Sequence, residues 1–363
     1  MARWTQVTHP YRLEHARNFI ASRRPAWESG QCLSFAIERG GEFCGSVDLR
    51  PGPVGAAEIG YSLAPWARGR GTMAAALRLA LRWGFDELDL QAVHWKAIVG
   101  NWRSRRVAWA VGFRIDGISR ASIDDHGRLR DAWTGSLLRG EPLSPAHPWL
   151  TPPVLTDGAV VLRQHLADDI PRIVQACTDP LTQYWLPDLP HPYGRLEAAA
   201  HLEQIAGEHA TGNGLFWAVC DPGEGHLLGE VGLFGMRGGV SAVAEAGYWA
   251  HPDARGRGLT VRALRLATRH AFIPREDGGL GLSRLLVRVA RGNEASAHVA
   301  VAAGMRATGV DRSAEKLRDG SVHDFLRFDL LARECRDPAA DGRAGALGRV
   351  AMARVRRNTR PRR

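Results

Sequence analysis

Two stretches of the chain carry apolar residues at helical spacing immediately after a glycine-rich turn. Met73, Ala76, Leu77 and Ala80 mark one, Thr72–Trp83; Val261, Leu264, Ala267 and Ala271 mark the other, Leu259–Phe272. The residues in front of them match. The first stretch follows EIGYSLAPWARGRG at Glu58–Gly71 and the second follows EAGYWAHPDARGRG at Glu245–Gly258, with nine of fourteen positions identical. An Asn-x-x-Ser-x-x-Val comes later in each copy, starting at Asn101 and Asn293, 33 and 38 residues after the first Arg of the turn. Such spacing marks an internal duplication.

The polar and apolar alternation extends the repeat. Trp4 to Tyr11 resembles Trp185 to Tyr193, and helix-like stretches follow at Leu13–Ser22 and Leu196–Glu208. Hairpin patterns come next, at residues 35–49 and 217–234. A strand then carries Glu-x-Gly-Tyr into the turn and its helix. Another strand precedes a last helix, which starts at Asn101 or Asn293 and ends at Gly112 or Gly304, as helix C-termini do. Only the second copy has an opening strand (Val154–Arg163) and helix (Ala167–Asp179). The first copy begins at the equivalent of Leu181, and we expect a start further upstream that would complete it. Residues 141–153 hold five prolines in thirteen positions and read as a semi-rigid linker. The expected order is thus a first domain over 1–140, a linker over 141–153, a complete second domain over 154–332 and a basic tail over 333–363.

Composition narrows the class. Hydrophobic content of 45% and charged content of 24% fit a globular protein, and no apolar run is long enough for a membrane span. The five cysteines are scattered without Cys-x-x-Cys, which argues against a disulfide framework or a metal site and for a reducing cytoplasm. The net charge of +10 is uneven: from residue 331 onward ten Arg face three acids, which gives +7. That tail is expected to be mobile and could touch RNA or the ribosome through non-specific phosphate attraction. It lacks aromatic residues for base stacking.

A strand, an Arg-Gly-Arg-Gly turn and a helix make an anion site: unsatisfied N–H groups point out of the first helical turn, and glycines permit close approach. It is neither a Walker A sequence nor a dinucleotide fingerprint. On these residues both halves resemble the GNAT superfamily of acyl-CoA-dependent N-acyltransferases, and most closely its branch related to ribosomal-protein N-terminal acetyltransferases. That family's turn is Arg/Gln-x-x-Gly-x-Gly/Ala. Arg68 to Met73 and Arg255 to Thr260 match its first two fixed positions and depart at the third. Its Asn-x-x-Ser…Gly-Phe signature is complete in Asn101–Phe113 and ends in Met305 in Asn293–Met305. The resemblance spans about residues 9–138 and 155–330.

The resemblance implies an α/β (α+β) fold. It would hold two tandem domains, each a mixed, mostly antiparallel twisted sheet flanked by helices, with two splayed parallel strands forming the cofactor cleft. It implies acetyl-CoA as co-substrate, no metal, and transfer of the acetyl group to a primary amine by direct attack on the thioester. Arg68, Gly69, Arg70, Gly71 and Thr72, and Arg255, Gly256, Arg257, Gly258 and Leu259, would hold the pyrophosphate. The backbone at Leu63 and Ala250 would pair with pantetheine as an added strand. Asn101 and Asn293 would contact the same arm, or serve simply as helix N-caps. Glu58 and Glu245 would draw a proton from the amine, or be strand carboxylates paired with an Arg. Ser104 and Ser296 would protonate the thiolate, or be structural. Tyr61 and Tyr248 read as core packing, as do Trp27, Trp185 and Trp217, which are also the aromatic candidates for an acceptor pocket. The tandem is expected to act as an intramolecular pseudo-dimer without membrane association. The alternative is a non-catalytic acyl-CoA-binding or sensing protein.

Overall fold

Alternating apolar positions form strands and 3.6-residue periodicities form helices in both halves of the computed structural model, which describes residues 4, 5, 7, 10–237 and 239–335. The chain divides into two units, residues 1–146 and 147–363. The expected basic tail lies outside the described residues from 336 onward, as do Arg3 and His9 at the start of the extended repeat.

In the first unit helix α1 (Leu13–Glu28) is followed by strands β1 (Leu33–Arg39), β2 (Glu42–Pro51) and β3 (Ala56–Leu63). Helix α2 (Thr72–Glu87), strand β4 (Ala92–Ile98) and helix α3 (Trp102–Ala110) come next, then the hairpin β5 (Arg114–Asp125) and β6 (Arg128–Leu138). The sheet runs β1-β2-β3-β4-β6-β5 and is antiparallel except between β3 and β4. Helix α1 is six residues longer than expected and passes through Pro25. Its core lies on one face, where Val47, Leu49, Ile59, Leu77, Leu81, Val93 and Trp95 are buried together.

The second unit opens with a hairpin of two short strands, β7 (Leu155–Thr156) and β8 (Val161–Arg163), where the sequence suggested one strand. Asp157 makes the turn by accepting hydrogen bonds from the N–H groups of Ala159 and Val160. The helix expected over Ala167–Asp179 is α4 (Ile170–Thr178), preceded by a 3-10 turn. Asp179 ends α4 and caps α5 (Pro180–Trp185) by accepting from the Thr182 N–H at 2.9 Å. Helix α6 (Arg195–Thr211), strands β9 (Leu215–Cys220), β10 (Leu227–Phe234) and β11 (Val243–Ala250), helix α7 (Leu259–Phe272), strand β12 (Arg284–Ala290), helix α8 (Glu294–Ala302) and the hairpin β13 (Arg306–Lys316) and β14 (Val322–Leu331) complete it. The sheet runs β13-β14-β12-β11-β10-β9-β8-β7, again with one parallel pair, β11 and β12. Its main core lies against α7 and α8; a second core, with Ile173, Cys177, Tyr193 and Ala198 of the α4–α6 region, covers the other face.

The Pro-rich stretch is pinned at both ends. Leu143 offers its carbonyl to Arg78 Nε at 3.0 Å within the first unit. In the second, Pro153 accepts from the Trp217 indole at 2.9 Å and Leu150 donates to His209. The repeat also extends to its indoles: Trp4 lies over Gly100 and Trp185 over Gly292, each pair separated by the same margin. No helix among the described residues is long and apolar enough to cross a membrane.

Candidate active site

The parallel ladder stops early in both units. Strand β3 pairs with β4 only from Ala56–Ala92 to Ile59–Trp95, and β11 with β12 only from Val243–Arg284 to Glu245–Leu286. Beyond those pairs β3 runs on to Leu63 and β11 to Ala250, bonded on their other side alone, to β2 and β10. A wedge therefore opens within each sheet, and the backbone edge of β3 or β11 faces it. Gly45 and Gly229 sit opposite Leu63 and Ala250. A side chain at either glycine would run into the carbonyl of Ser62 or Trp249, so the outer strand lies close against the free-edged one.

The Arg-Gly-Arg-Gly turn stands at the mouth of the wedge. Gly69, Gly71, Gly256 and Gly258 have φ of 76°, 74°, 72° and 72°, a region that disfavours side chains, and nothing lies within 4 Å of where a Cβ would be. Among the described residues no side chain caps α2 or α7, whose N-caps are Gly71 and Gly258, so their first N–H groups are left for another acceptor. Met73, which departs from the family turn, is buried in the core and does not crowd the turn. Thr260 is the other departure. Phe113 and Met305 fill the same core position in the two units.

The arginines of the turn differ. Arg68 Nε donates to the Leu63 carbonyl at 3.0 Å. Arg255 is tied to the capping Asp179 at 2.5 Å and to Thr182 Oγ1 at 2.8 Å, and its guanidinium lowers the Asp179 carboxyl below the usual range. Arg70 and Arg257 are exposed. Thr72 Oγ1 accepts from Arg39 at 3.4 Å, and Leu259 opens α7.

A polar bridge crosses the wedge. Asn101 Oδ1 accepts from the Ser104 N–H at 3.3 Å, and Asn293 Oδ1 from the Ser296 N–H at 3.1 Å, so both asparagines cap their helices. Tyr61 donates its hydroxyl to the Ser104 carbonyl at 2.9 Å, while Ser104 Oγ donates to Tyr61 at 3.1 Å. Tyr248 and Ser296 repeat the arrangement at 2.9 and 3.3 Å. In the first unit the Trp95 indole also donates to Ser104 Oγ at 3.3 Å. Burial pushes the Tyr248 phenol up to about 12 against the Ser296 hydrogen bond, and raises Tyr61 further. Both phenols stay protonated at neutral pH. Both tyrosines pack against the cores, as the sequence suggests, and their serine hydrogen bonds, repeated in both units, emerge only from the structure.

Glu245 lies in the last pair of its parallel ladder and Glu58 one pair before the last of its own, both on the sheet face opposite the main core. Glu58 pairs with Arg50 at 3.1 Å and Glu245 with Arg288 at 2.9 Å. Strand alternation puts Gly60 and Gly247 on that same face. Elsewhere on this face of the second unit, Glu230 Oε2 lies 2.9 Å from Nε2 of both His165 and His201. Burial alone would raise the Glu230 carboxyl, but the two imidazoles hold it below the usual range; burial likewise acts to lower His201, and the glutamate overcomes it and raises the imidazole. No sequence motif pointed to this cluster, because its members come from separate elements. Trp217 is fully buried. Trp27 packs on Phe35 and Trp83, and Trp185 on Tyr184 and His323. Among the described residues no group of His, Cys, Asp or Glu is arranged to hold a metal ion.

Comparison with known proteins gives a family match in both repeats: the model described as acetyltransferase (GNAT) domain covers residues 1–114 and 159–306. The putative ribosomal N-acetyltransferase YdaF of Bacillus subtilis (strain 168) is 34% identical over 123 residues, 32% of this chain and 67% of that protein. Among solved structures, a probable acetyltransferase is 25% identical over 50% of this chain and 98% of its own, with a TM-score of 0.43. Mycobacterium smegmatis RimJ in complex with CoA-disulfide is 20% identical over 52% of this chain and 90% of its own, with a TM-score of 0.44. With its family match falling on the two halves that carry the interrupted ladder, the turn and the Asn-x-x-Ser helix, the chain belongs to the GNAT family of acetyltransferases.

Proposed function

We propose that the protein is an N-acetyltransferase that uses acetyl-CoA on a primary amine, with each unit carrying one site. The observation that carries this reading is the interrupted parallel ladder, which in both units ends within one residue of the glutamate and opens toward the Arg-Gly-Arg-Gly turn. The residues fit the co-substrate. Positive-φ glycines leave the turn open, the first helical N–H groups lack caps, and the free edge of β3 or β11 offers backbone partners to an extended amide-bearing arm. Bound acetyl-CoA supplies the acetyl group as a thioester, which a neutral amine attacks to form an N–C bond as the C–S bond breaks.

The chain's own groups handle the protons. An α-amino group with a pKa of roughly 7.7–8.0 needs only modest help to lose one. Glu245 and Glu58 accept that proton, directly or through water. Tyr248 and Tyr61 hold a proton at the far side of the wedge on the carbonyls of Ser296 and Ser104, and the departing thiolate takes it as the phenol releases that carbonyl, with the serine hydroxyl still held to the phenol oxygen. Arg257 and Arg70 supply charge to the pyrophosphate, while Arg255 also braces the α4–α5 junction.

The test is calorimetric titration of the full chain with acetyl-CoA, followed by an assay of free thiol release with a primary amine. Two binding events, with Glu245→Gln lowering kcat but not acetyl-CoA affinity, are expected. Folded protein that fails to bind acetyl-CoA would overturn the reading. Binding without turnover of any amine would leave an acyl-CoA sensor instead.

A further inference from the structure

The two units share their cofactor-side residues but not the surface beside their glutamates. Strand pairing aligns the two surfaces position by position. In the second unit Glu245 stands across from Phe234, and Gly247 across from Gly232, which in turn pairs with Phe216. In the first unit Glu58 stands across from Arg50, and Gly60 across from Asp48, which pairs with Ser34. Phe216, Gly232 and Phe234 thus occupy the places of Ser34, Asp48 and Arg50.

The consequence is a different floor. The Phe216 ring lies across Gly232, where any Cβ would strike it, and the Phe234 ring lies 3.0 Å from the Cβ that Gly247 lacks. The two rings are parallel to within 6°, with centroids 6.4 Å apart. They remain half-buried rather than covered. They help to line an open 550 Å³ pocket together with Gln204, Glu208, Asn213 and Arg237. In the first unit Arg50 lies over Gly60 instead and engages Glu58 and Asp48. Among the described residues one carboxylate oxygen of Asp48 is buried without a hydrogen-bond partner.

We propose that the acceptor site of the second unit selects a primary amine bearing an aromatic group close to the nitrogen, and that the first unit's site does not. The inference rests on the acetyltransferase reading. Directly opposed residues of an antiparallel pair have Cβ atoms about 4.5–5.5 Å apart. An amine held at Glu245 therefore places a substituent a few bonds away over the Phe234 ring. Parallel aromatic faces favour a flat partner in offset stacking, and the pocket's two charged side chains, Glu208 and Arg237, are of opposite sign, so the rings set the selectivity. Arylalkyl amines and peptides with an aromatic first residue share this chemistry. The charged floor of the first unit offers no such face.

Phenethylamine and ethanolamine test it, since they carry similar ammonium groups and differ in an aryl against a hydroxyl end. Their binding to the CoA-saturated full chain is measured by calorimetry, and their kcat/KM with acetyl-CoA by thiol release. Phenethylamine is expected to be at least tenfold better in both. Phe234→Arg, which copies the first unit, should bring the ratio near one by raising KM for phenethylamine. Phe234→Leu should give an intermediate ratio, and acetyl-CoA affinity serves as the control for folding. Equal binding of the two amines to the unaltered protein overturns the proposal, as does a preference that survives both Phe234→Arg and Phe216→Ala. Loss of the acetyltransferase reading is seen separately, as absent acetyl-CoA binding. In that event phenethylamine binding still decides whether the platform exists.

Discussion

Tyr248 and Ser296 are joined by two hydrogen bonds: the phenol donates to the serine carbonyl at 2.9 Å, and the serine hydroxyl donates back at 3.3 Å. The serine hydroxyl thereby engages the phenol oxygen while the phenol proton rests on the serine carbonyl, so in the proposed reaction the tyrosine gives that proton up only by releasing the carbonyl. Tyr248→Phe should lower kcat at least tenfold with little change in KM for acetyl-CoA, whereas Ser296→Ala should cost less. Steady-state kinetics at saturating amine separates the two. The raised phenol also predicts alkaline instability. Unfolded tyrosine ionises at about pH 10 while the folded group resists to about 12, so stability falls as pH rises across that interval. Tyr248→Phe should flatten the fall in the denaturation midpoint.

Arg255 and Arg257 are two residues apart and should respond differently. Arg255→Ala leaves Asp179 and the start of α5 without their cation. The expected cost is about 1–2 kcal/mol after solvent screening, seen as a lower thermal midpoint. Arg257→Ala should leave the midpoint in place and weaken acetyl-CoA roughly threefold to tenfold, as loss of one exposed charge-assisted contact does. Calorimetry and thermal denaturation of both variants check the contrast.

His209 gives the second unit an acid limit. It is 5% exposed and accepts the Phe216 N–H at 3.0 Å through Nε2. Burial, aided by the charge of nearby His165, pushes its imidazole down to about 4. In the unfolded chain the same group takes a proton below about pH 6.5. Stability is therefore lost as pH falls from 6.5 toward 4, by on the order of 3 kcal/mol in full. His201 beside Glu230 acts in the opposite sense, since its raised imidazole binds its proton more tightly when folded. The difference between the wild type and His209→Gln isolates the term: urea midpoints of the variant should decline less over that range.

Gly229 and Gly45 admit no side chain where the outer strand meets the free-edged one. Gly229→Ala should cost at least about 2 kcal/mol, as steric intrusion into a packed sheet does, and should weaken acetyl-CoA by displacing Ala250. A variant with unchanged denaturation midpoint and affinity would show that β10 can yield.

The duplicated motif made the strand–turn–helix frame and the Asn-x-x-Ser helix legible, because local spacing encodes them. Glu58 and Glu245 were readable as residue types at a strand end, but their partners Arg50 and Arg288 come from different neighbouring strands and emerge only from register. The Val154–Arg163 segment read as one strand since its apolar ends mask the Asp157 turn. The unlike acceptor floors were hidden for the same reason as the Glu230 cluster: alignment along the chain does not reveal which side chains share a face.

Each sheet is, mechanically, two stiff plates stitched along a seam of three or four residue pairs. The last stitch is at Glu245 in the second unit and one residue past Glu58 in the first, and the tyrosine and the turn lie beyond it on the unstitched length of the strand. Hydrogen exchange at the paired stretches, Ala56–Ile59 and Val243–Glu245, is the measurement that would report any parting of that seam.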